Sequence, residues 1–78
     1  MFPTLLIVDD EPSIISTLKG LLSDEGFEVL TAANGYECLK VIENESPDLV
    51  LLDIWMPGID GIETLKEIKK ISPKLPVV

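Results

Sequence analysis

The chain has 78 residues with 14 acidic and six basic side chains, no histidine and a formal net charge of −8. This length suits one small domain, and the negative charge argues against direct nucleic-acid binding, because phosphates would be repelled. No apolar run approaches the roughly 20 residues of a membrane span. The N-terminus lacks the pattern of a signal peptide, and a single cysteine excludes an intramolecular disulfide, so we expect a cytoplasmic protein without membrane contact.

The N-terminal third predicts a buried strand followed by a helix. Thr4–Val8 is a short aliphatic run without alternation, which is typical of a strand covered on both faces. Pro12 suits the first turn of a helix, and Gly26 suits the residue just after its end, with Phe27 packing back in a Schellman ending. The predicted apolar stripe of this helix consists of Ile14, Ile15, Leu18, Leu21 and Leu22.

The middle third predicts a second strand and a second helix. Glu28–Ala32 has the composition of a strand, and Asn34 with Glu37 resembles an N-cap and its reciprocal partner. The helix is predicted to begin at Gly35 and to stop at Ser46-Pro47. Its expected apolar face carries Tyr36, Leu39 and Ile42, while Cys38 is expected to be a buried, inert thiol.

The last third repeats the alternation. The run from Leu49 to Asp53 predicts a strand buried on both sides, and Asp60 with Glu63 predicts the start of a third helix. That helix should present Ile62, Leu65, Ile68 and Ile71 and end at Ser72-Pro73, before LPVV begins a further strand. The order of elements predicts an α/β fold: a doubly wound parallel sheet with right-handed crossovers.

Three carboxylates occupy the positions where ligands bind in such sheets. Asp9 and Asp10 follow the first strand, and Asp53 ends the third, so neighbouring strands would bring all three to one crevice. A cluster of hard oxygen ligands in a partly open site suits Mg²⁺, and Asp53 could then act as a nucleophile toward a phosphoryl group. Taken alone, the acidic pair has a simpler interpretation as the capped N-terminus of a helix.

These motifs resemble the receiver domain of two-component response regulators. The resemblance is carried by LLIVDDEP (5–12), by DLVLLDIWMPGIDGIE (48–63) and by the alternation between them. It implies a flavodoxin-like fold with strand order 2-1-3-4-5 when complete. It also implies that Asp53 is the phosphoacceptor for a partner sensor histidine kinase. Mg²⁺ or Mn²⁺ would be held by Asp53, by Asp10 directly, by Asp9 through water and by the backbone carbonyl of Trp55.

The resemblance further implies that residues 1–78 form an incomplete receiver domain. The family's hydroxyl residue on the fourth strand and its lysine on the fifth would follow Val78, and an exposed edge of the third strand would favour self-association. The leading function is a phosphorylated signalling switch in a transcription regulator, rather than a turnover enzyme. The alternative is an interaction or dimerisation module that is not phosphorylated. An aspartate-nucleophile phosphatase is disfavoured, because Trp55 stands where its second aspartate would be.

Overall fold

The computed structural model describes residues 2–53 and 61–78. Strands and helices alternate along the chain, as the sequence predicts. They are β1 (Thr4–Val8), α1 (Pro12–Asp24), β2 (Glu28–Ala32), α2 (Gly35–Glu45), β3 (Leu49–Leu52) and α3 (Gly61–Ile71). No helix within the described ranges is long and apolar enough to cross a membrane.

The three strands form one parallel sheet in the order β2-β1-β3. At the centre of the register, Leu6 of β1 lies between Leu30 of β2 and Val50 of β3. Because β1 is the central strand, the chain must reverse its winding direction after β2 in order to place β3 on the other side. This arrangement confirms the doubly wound, flavodoxin-like fold.

The outer edge of β3 is hydrogen-bonded to the C-terminal residues. Val77 forms a parallel bridge with Val50, the Val50 N–H donates to the Pro76 carbonyl at 3.0 Å, and the Val78 N–H donates to the Val50 carbonyl at 2.9 Å. The expected start of a further strand is therefore present. These hydrogen bonds cover part of the outer edge of β3, which the sequence predicts to be partly unpaired.

The main core lies on one face of the sheet, between the strands and the helices α2 and α3. Its buried members are Leu6, Val8, Ala32, Cys38, Ile42, Val50, Ile68 and Leu75. α2 turns Gly35, Cys38 and Ile42 inward, and α3 turns Gly61, Thr64 and Ile68 inward. These stripes mix small and large residues, and α2 and α3 also contact each other.

Two helix faces differ from those predicted. Tyr36 is 64% exposed and Ile62 is 51% exposed, although helical spacing predicts both on apolar faces; Ile71 is exposed as well. Helical spacing gives the period of a stripe, but Gly35, Cys38 and Thr64 occupy the inward positions instead. Small side chains at these positions allow α2 to lie close to the sheet and to α3, a preference that hydrophobicity alone does not reveal.

Helix α1 packs against β1 and β2 on the opposite face of the sheet, and none of its residues is buried. Of its predicted apolar stripe, Ile15, Leu18 and Leu22 are half-buried, whereas Ile14 and Leu21 are exposed. The α1 side of β3 is covered incompletely. Val50 is the one buried residue of this strand, and Leu49, Leu51 and Leu52 are half-buried. The expectation that β3 is buried on both faces is wrong, because α1 does not extend over it.

The predicted end of α1 and the predicted start of α2 are confirmed in detail. Gly26 adopts a φ of 96°, its N–H donates to the Ser23 carbonyl at 3.0 Å, and the Phe27 N–H donates to the Leu22 carbonyl at 3.1 Å. These two hydrogen bonds form a Schellman ending. At the start of α2, the Asn34 side chain accepts a hydrogen bond from the Glu37 N–H at 2.9 Å. The reciprocal contact runs from the Asn34 amide to the Glu37 carboxylate, at 3.2 Å.

Candidate metal centre

The sheet places Asp9 and Asp53 next to each other at the carboxyl ends of adjacent strands. Val8 pairs with Leu52 in the register, so the residues that follow them lie side by side. The Asp53 N–H donates to the Val8 carbonyl at 3.0 Å, and the Asp9 N–H donates to the Ala32 carbonyl at 3.2 Å. Sheet hydrogen bonding therefore fixes the backbone of both aspartates.

Three predicted site residues come together at this edge. Asp9, Asp10 and Asp53 each offer a carboxylate oxygen, and these oxygens all lie within 4.8 Å of one another. Asp9 and Asp53 are half-buried, while Asp10 is exposed. The fourth predicted ligand, the backbone carbonyl of Trp55, lies outside the described residues. The predicted start of α3 at Asp60 lies outside them as well.

Asp9 is also tied to the beginning of α1. Its Oδ1 accepts a hydrogen bond from the Glu11 N–H at 2.9 Å. Glu11 occupies the N-cap position, but its own side chain makes no capping hydrogen bond, and the first turn of α1 carries no acidic residue. The apolar pattern of α1 does not predict this backbone donor. The available signal was the aspartate two residues earlier, since aspartate side chains commonly accept from the N–H two positions on.

An apolar depression adjoins the carboxylates on the α1 side of the sheet. Its volume is about 440 Å³, and Asp9 and Asp53 stand among its lining residues. The rest of the lining is apolar and consists of Ile7, Val8, Ile14, Leu18, Leu51, Leu52 and Val78. The sequence did not predict this depression, because it exists where α1 leaves part of β3 uncovered.

The donor set fits a hard divalent cation. Mg²⁺ takes oxygen ligands at about 2.0–2.1 Å in an octahedron, where neighbouring ligands are about 3.0 Å apart and opposite ones about 4.2 Å apart. Carboxylate oxygens within 4.8 Å of one another approach that spacing. A half-open site also suits an ion that keeps several of its waters. Three like charges this close repel one another, so a cation would relieve a conflict that the fold creates.

The topology and the acidic cluster together define a class: doubly wound α/β domains with a cluster of carboxylates at the point where strand order reverses. The sequence matches the response regulator receiver domain family over residues 5–78. The chain belongs to this family, as its motifs predict. Receiver domains act in two-component systems, where they interact with histidine kinases and bind Mg²⁺ at the phosphorylation site.

Known proteins resemble the chain in both sequence and structure. It is 42% identical over 74 residues to the alkaline phosphatase synthesis transcriptional regulatory protein PhoP of Bacillus subtilis, covering 95% of this chain and 31% of PhoP. The chain thus spans about a third of that relative.

Among solved structures, the Vibrio cholerae chemotaxis protein CheY4 matches with a TM-score of 0.95 at 33% identity, over 99% of this chain and 66% of CheY4. The response regulator TrrA of Thermotoga maritima, solved in complex with Mg²⁺-BeF, matches with a TM-score of 0.92 at 46% identity. That match covers 97% of this chain and 66% of TrrA.

Proposed function

We propose that this chain is a phosphoacceptor domain in which Asp53 receives a phosphoryl group from a histidine kinase. The observation that carries the proposal is the convergence of the Asp53 carboxylate with those of Asp9 and Asp10 at the carboxyl edge of the sheet. Family membership supports the proposal independently. Together they favour signalling over the alternative of an interaction module that is not phosphorylated.

Asp9, Asp10 and Asp53 would hold Mg²⁺, with Mn²⁺ as the alternative ion and the Trp55 carbonyl as a further ligand. The exposed Asp10 is free to turn toward the ion, whereas Asp9 is half-buried and already bonded to the Glu11 N–H. As the resemblance to the family implies, we assign Asp10 to direct contact and Asp9 to contact through water. When bound, the ion would neutralise charge on the cluster and on the incoming phosphoryl oxygens.

In the transfer step, an Asp53 oxygen attacks phosphorus in line with the departing imidazole of the kinase phosphohistidine. The new bond joins that oxygen to phosphorus, and the phosphorus–nitrogen bond breaks with its electron pair on the imidazole. The chain's contribution is to position the nucleophile, because phosphoryl transfer needs little other covalent work from a protein. The hydrogen bond from the Asp53 N–H to the Val8 carbonyl fixes the backbone from which this carboxylate projects.

The proposed output is regulation of transcription through a further domain, because curated relatives such as PhoP are transcriptional regulators. The negative charge of this segment makes it a poor direct ligand for DNA. Self-association stays a prediction, and pairing of Val77 with Val50 removes part of the edge that favoured it.

The proposal is tested by incubating the chain with acetyl phosphate and Mg²⁺ and measuring intact mass. We expect a phosphate adduct that hydroxylamine removes, as for an acyl phosphate, and that is absent from Asp53→Asn. Asp24→Asn is the matched control, because it makes the same charge change on an exposed residue at the far end of α1. An adduct that persists in Asp53→Asn, or its absence from the unchanged chain, would refute the proposal for this chain.

A further inference from the structure

The two aspartates after β1 are constrained very differently. Asp9 is held at both ends, by its N–H bond to the Ala32 carbonyl at 3.2 Å and by its Oδ1 contact with the Glu11 N–H at 2.9 Å. The carboxylate of Asp10 is exposed and accepts no hydrogen bond from another described residue. The Glu11 N–H is thus the group that selects an orientation for one carboxylate of the cluster.

We propose that the Glu11 backbone N–H is a positioning group for the cation site. By engaging Oδ1, it holds the Asp9 carboxylate in one rotamer and leaves Oδ2 as its available oxygen. Without this donor, the half-buried side chain could leave the cluster by rotation, since two neighbouring carboxylates repel it. The inference rests on the proposed function, because it concerns the same cation site.

The hydrogen bond from the Glu11 N–H to Asp9 also affects the start of α1. The first backbone N–H groups of a helix lack partners within the helix, and α1 has neither a side-chain cap nor an acidic residue in its first turn. No residue of α1 is buried, so packing constrains this helix only weakly. The Asp9 carboxylate therefore connects the cation site to the N-terminal end of α1, and cation binding should strengthen the bond to Glu11. Linkage requires the two effects to be reciprocal.

The direct test removes one N–H and leaves every side chain in place. Replacing the Asp10–Glu11 peptide bond by an ester deletes the Glu11 donor. The chain can be assembled from two synthetic segments joined at Glu37–Cys38, because Cys38 is its only cysteine. The matched control is an ester at Pro12–Ser13, which deletes an N–H in the first turn of α1 that donates to no other described residue. Circular dichroism verifies that both esters fold.

Calorimetric titration with Mg²⁺ should show about three- to tenfold weaker binding for the Glu11 ester, which corresponds to the loss of one typical hydrogen bond. The Ser13 ester should bind like the unmodified chain. Equal affinity of the Glu11 ester and the unmodified chain would overturn the inference, and so would equal weakening by both esters. If the unmodified chain binds no Mg²⁺, the inference and the proposed cation site fail together. The first two outcomes leave the proposed function intact.

A second measurement needs no chemical modification. Solvent exchange of the Glu11 amide, followed by NMR, should slow when Mg²⁺ saturates the unmodified chain, and the Ser13 amide serves as the internal control. In Asp9→Ala the Glu11 amide should exchange faster and respond less to Mg²⁺. Unchanged exchange at Glu11 on saturation would overturn the inference even if the ester variant failed to fold.

Discussion

Neutralising Asp53 should have opposite consequences for stability and for cation binding. Asp53→Asn keeps the size of the side chain but removes two of the three repulsive pairs in a cluster whose oxygens lie within 4.8 Å of one another. At that separation, two unit charges interact by about 0.9 kcal/mol at the dielectric constant of water and by about 3.5 kcal/mol at an effective value of about 20. Because the site is half-open, the lower figure applies, and we expect the metal-free variant to be about 1–2 kcal/mol more stable.

Mg²⁺ should remove the difference in stability between Asp53→Asn and the unchanged chain. A ligand that binds only the folded state at ten times its dissociation constant adds about 1.4 kcal/mol of stability. The unchanged chain should gain this amount, whereas Asp53→Asn, with one charged ligand fewer, should gain little. The free energies of unfolding of the two chains should therefore differ in EDTA and approach each other in Mg²⁺.

The assay is urea unfolding followed by circular dichroism, with and without Mg²⁺. Glu28→Gln is the matched control, because it changes the net charge equally at an exposed position at the start of β2, outside the carboxylate cluster. It should alter stability only slightly and leave the response to Mg²⁺ intact. The electrostatic reasoning is refuted if metal-free Asp53→Asn is no more stable than Glu28→Gln, or if it gains as much from Mg²⁺ as the unchanged chain.

Four further substitutions and one labelling experiment test the fold. Gly26→Ala should destabilise the fold by about 1–2 kcal/mol, because the φ of Gly26 is 96°. Gly20→Ala should stabilise it by about 0.5–1 kcal/mol, because Gly20 lies inside α1 with open space around it. Shifts of the two urea midpoints in the same direction would contradict this reasoning. Asn34→Ala should cost about 1 kcal/mol, and Asn34→Ser should recover most of it by restoring an acceptor for the Glu37 N–H. Burial raises the pKa of the Cys38 thiol from 9.0 to about 11, so thiol reagents at neutral pH should label it only after unfolding; rapid labelling of the native chain would disagree.

The pKa of Cys38 also gives the domain a pH dependence. The folded state retains the thiol proton to a higher pH than the unfolded chain does, so the associated stability is fully present below pH 9.0 and is lost as the pH rises through about 11. Cys38→Ala should weaken this decline in stability at alkaline pH. Urea unfolding at several pH values measures the difference between the two chains.

Local signals predicted the elements and their ends well. Gly26 and Asn34 act through hydrogen bonds to residues within five positions in the chain, so their roles can be derived from the nearby residues in the sequence. The convergence of Asp9 and Asp53 could also be predicted, because a parallel sheet aligns the carboxyl ends of its strands. The metal-binding role of these residues stays a prediction.

The remaining features depend on tertiary packing. Tyr36 and Ile62 have the spacing of an apolar stripe but are exposed, because Cys38 and Thr64 take the positions facing the core. Hydrophobicity ranks the large side chains first, whereas close packing of α2 against α3 and the sheet favours smaller ones. The depression beside β3 was also unpredictable, since it depends on how far α1 extends over the sheet.

The sheet holds the acidic cluster in place, although its like charges repel one another. Leu5–Val8 of β1 are buried, and the sheet hydrogen bonds on both sides of the strand hold the backbone that carries Asp9 and, through β3, Asp53. Rigid support is what a site for a small cation requires, but it also prevents like charges from moving apart. A flexible loop could relieve the repulsion by moving, and it would then lose the arrangement of ligands. Metal-free stability and readiness for a cation therefore oppose each other at this edge, and for that reason a single neutralised carboxylate should improve one while impairing the other.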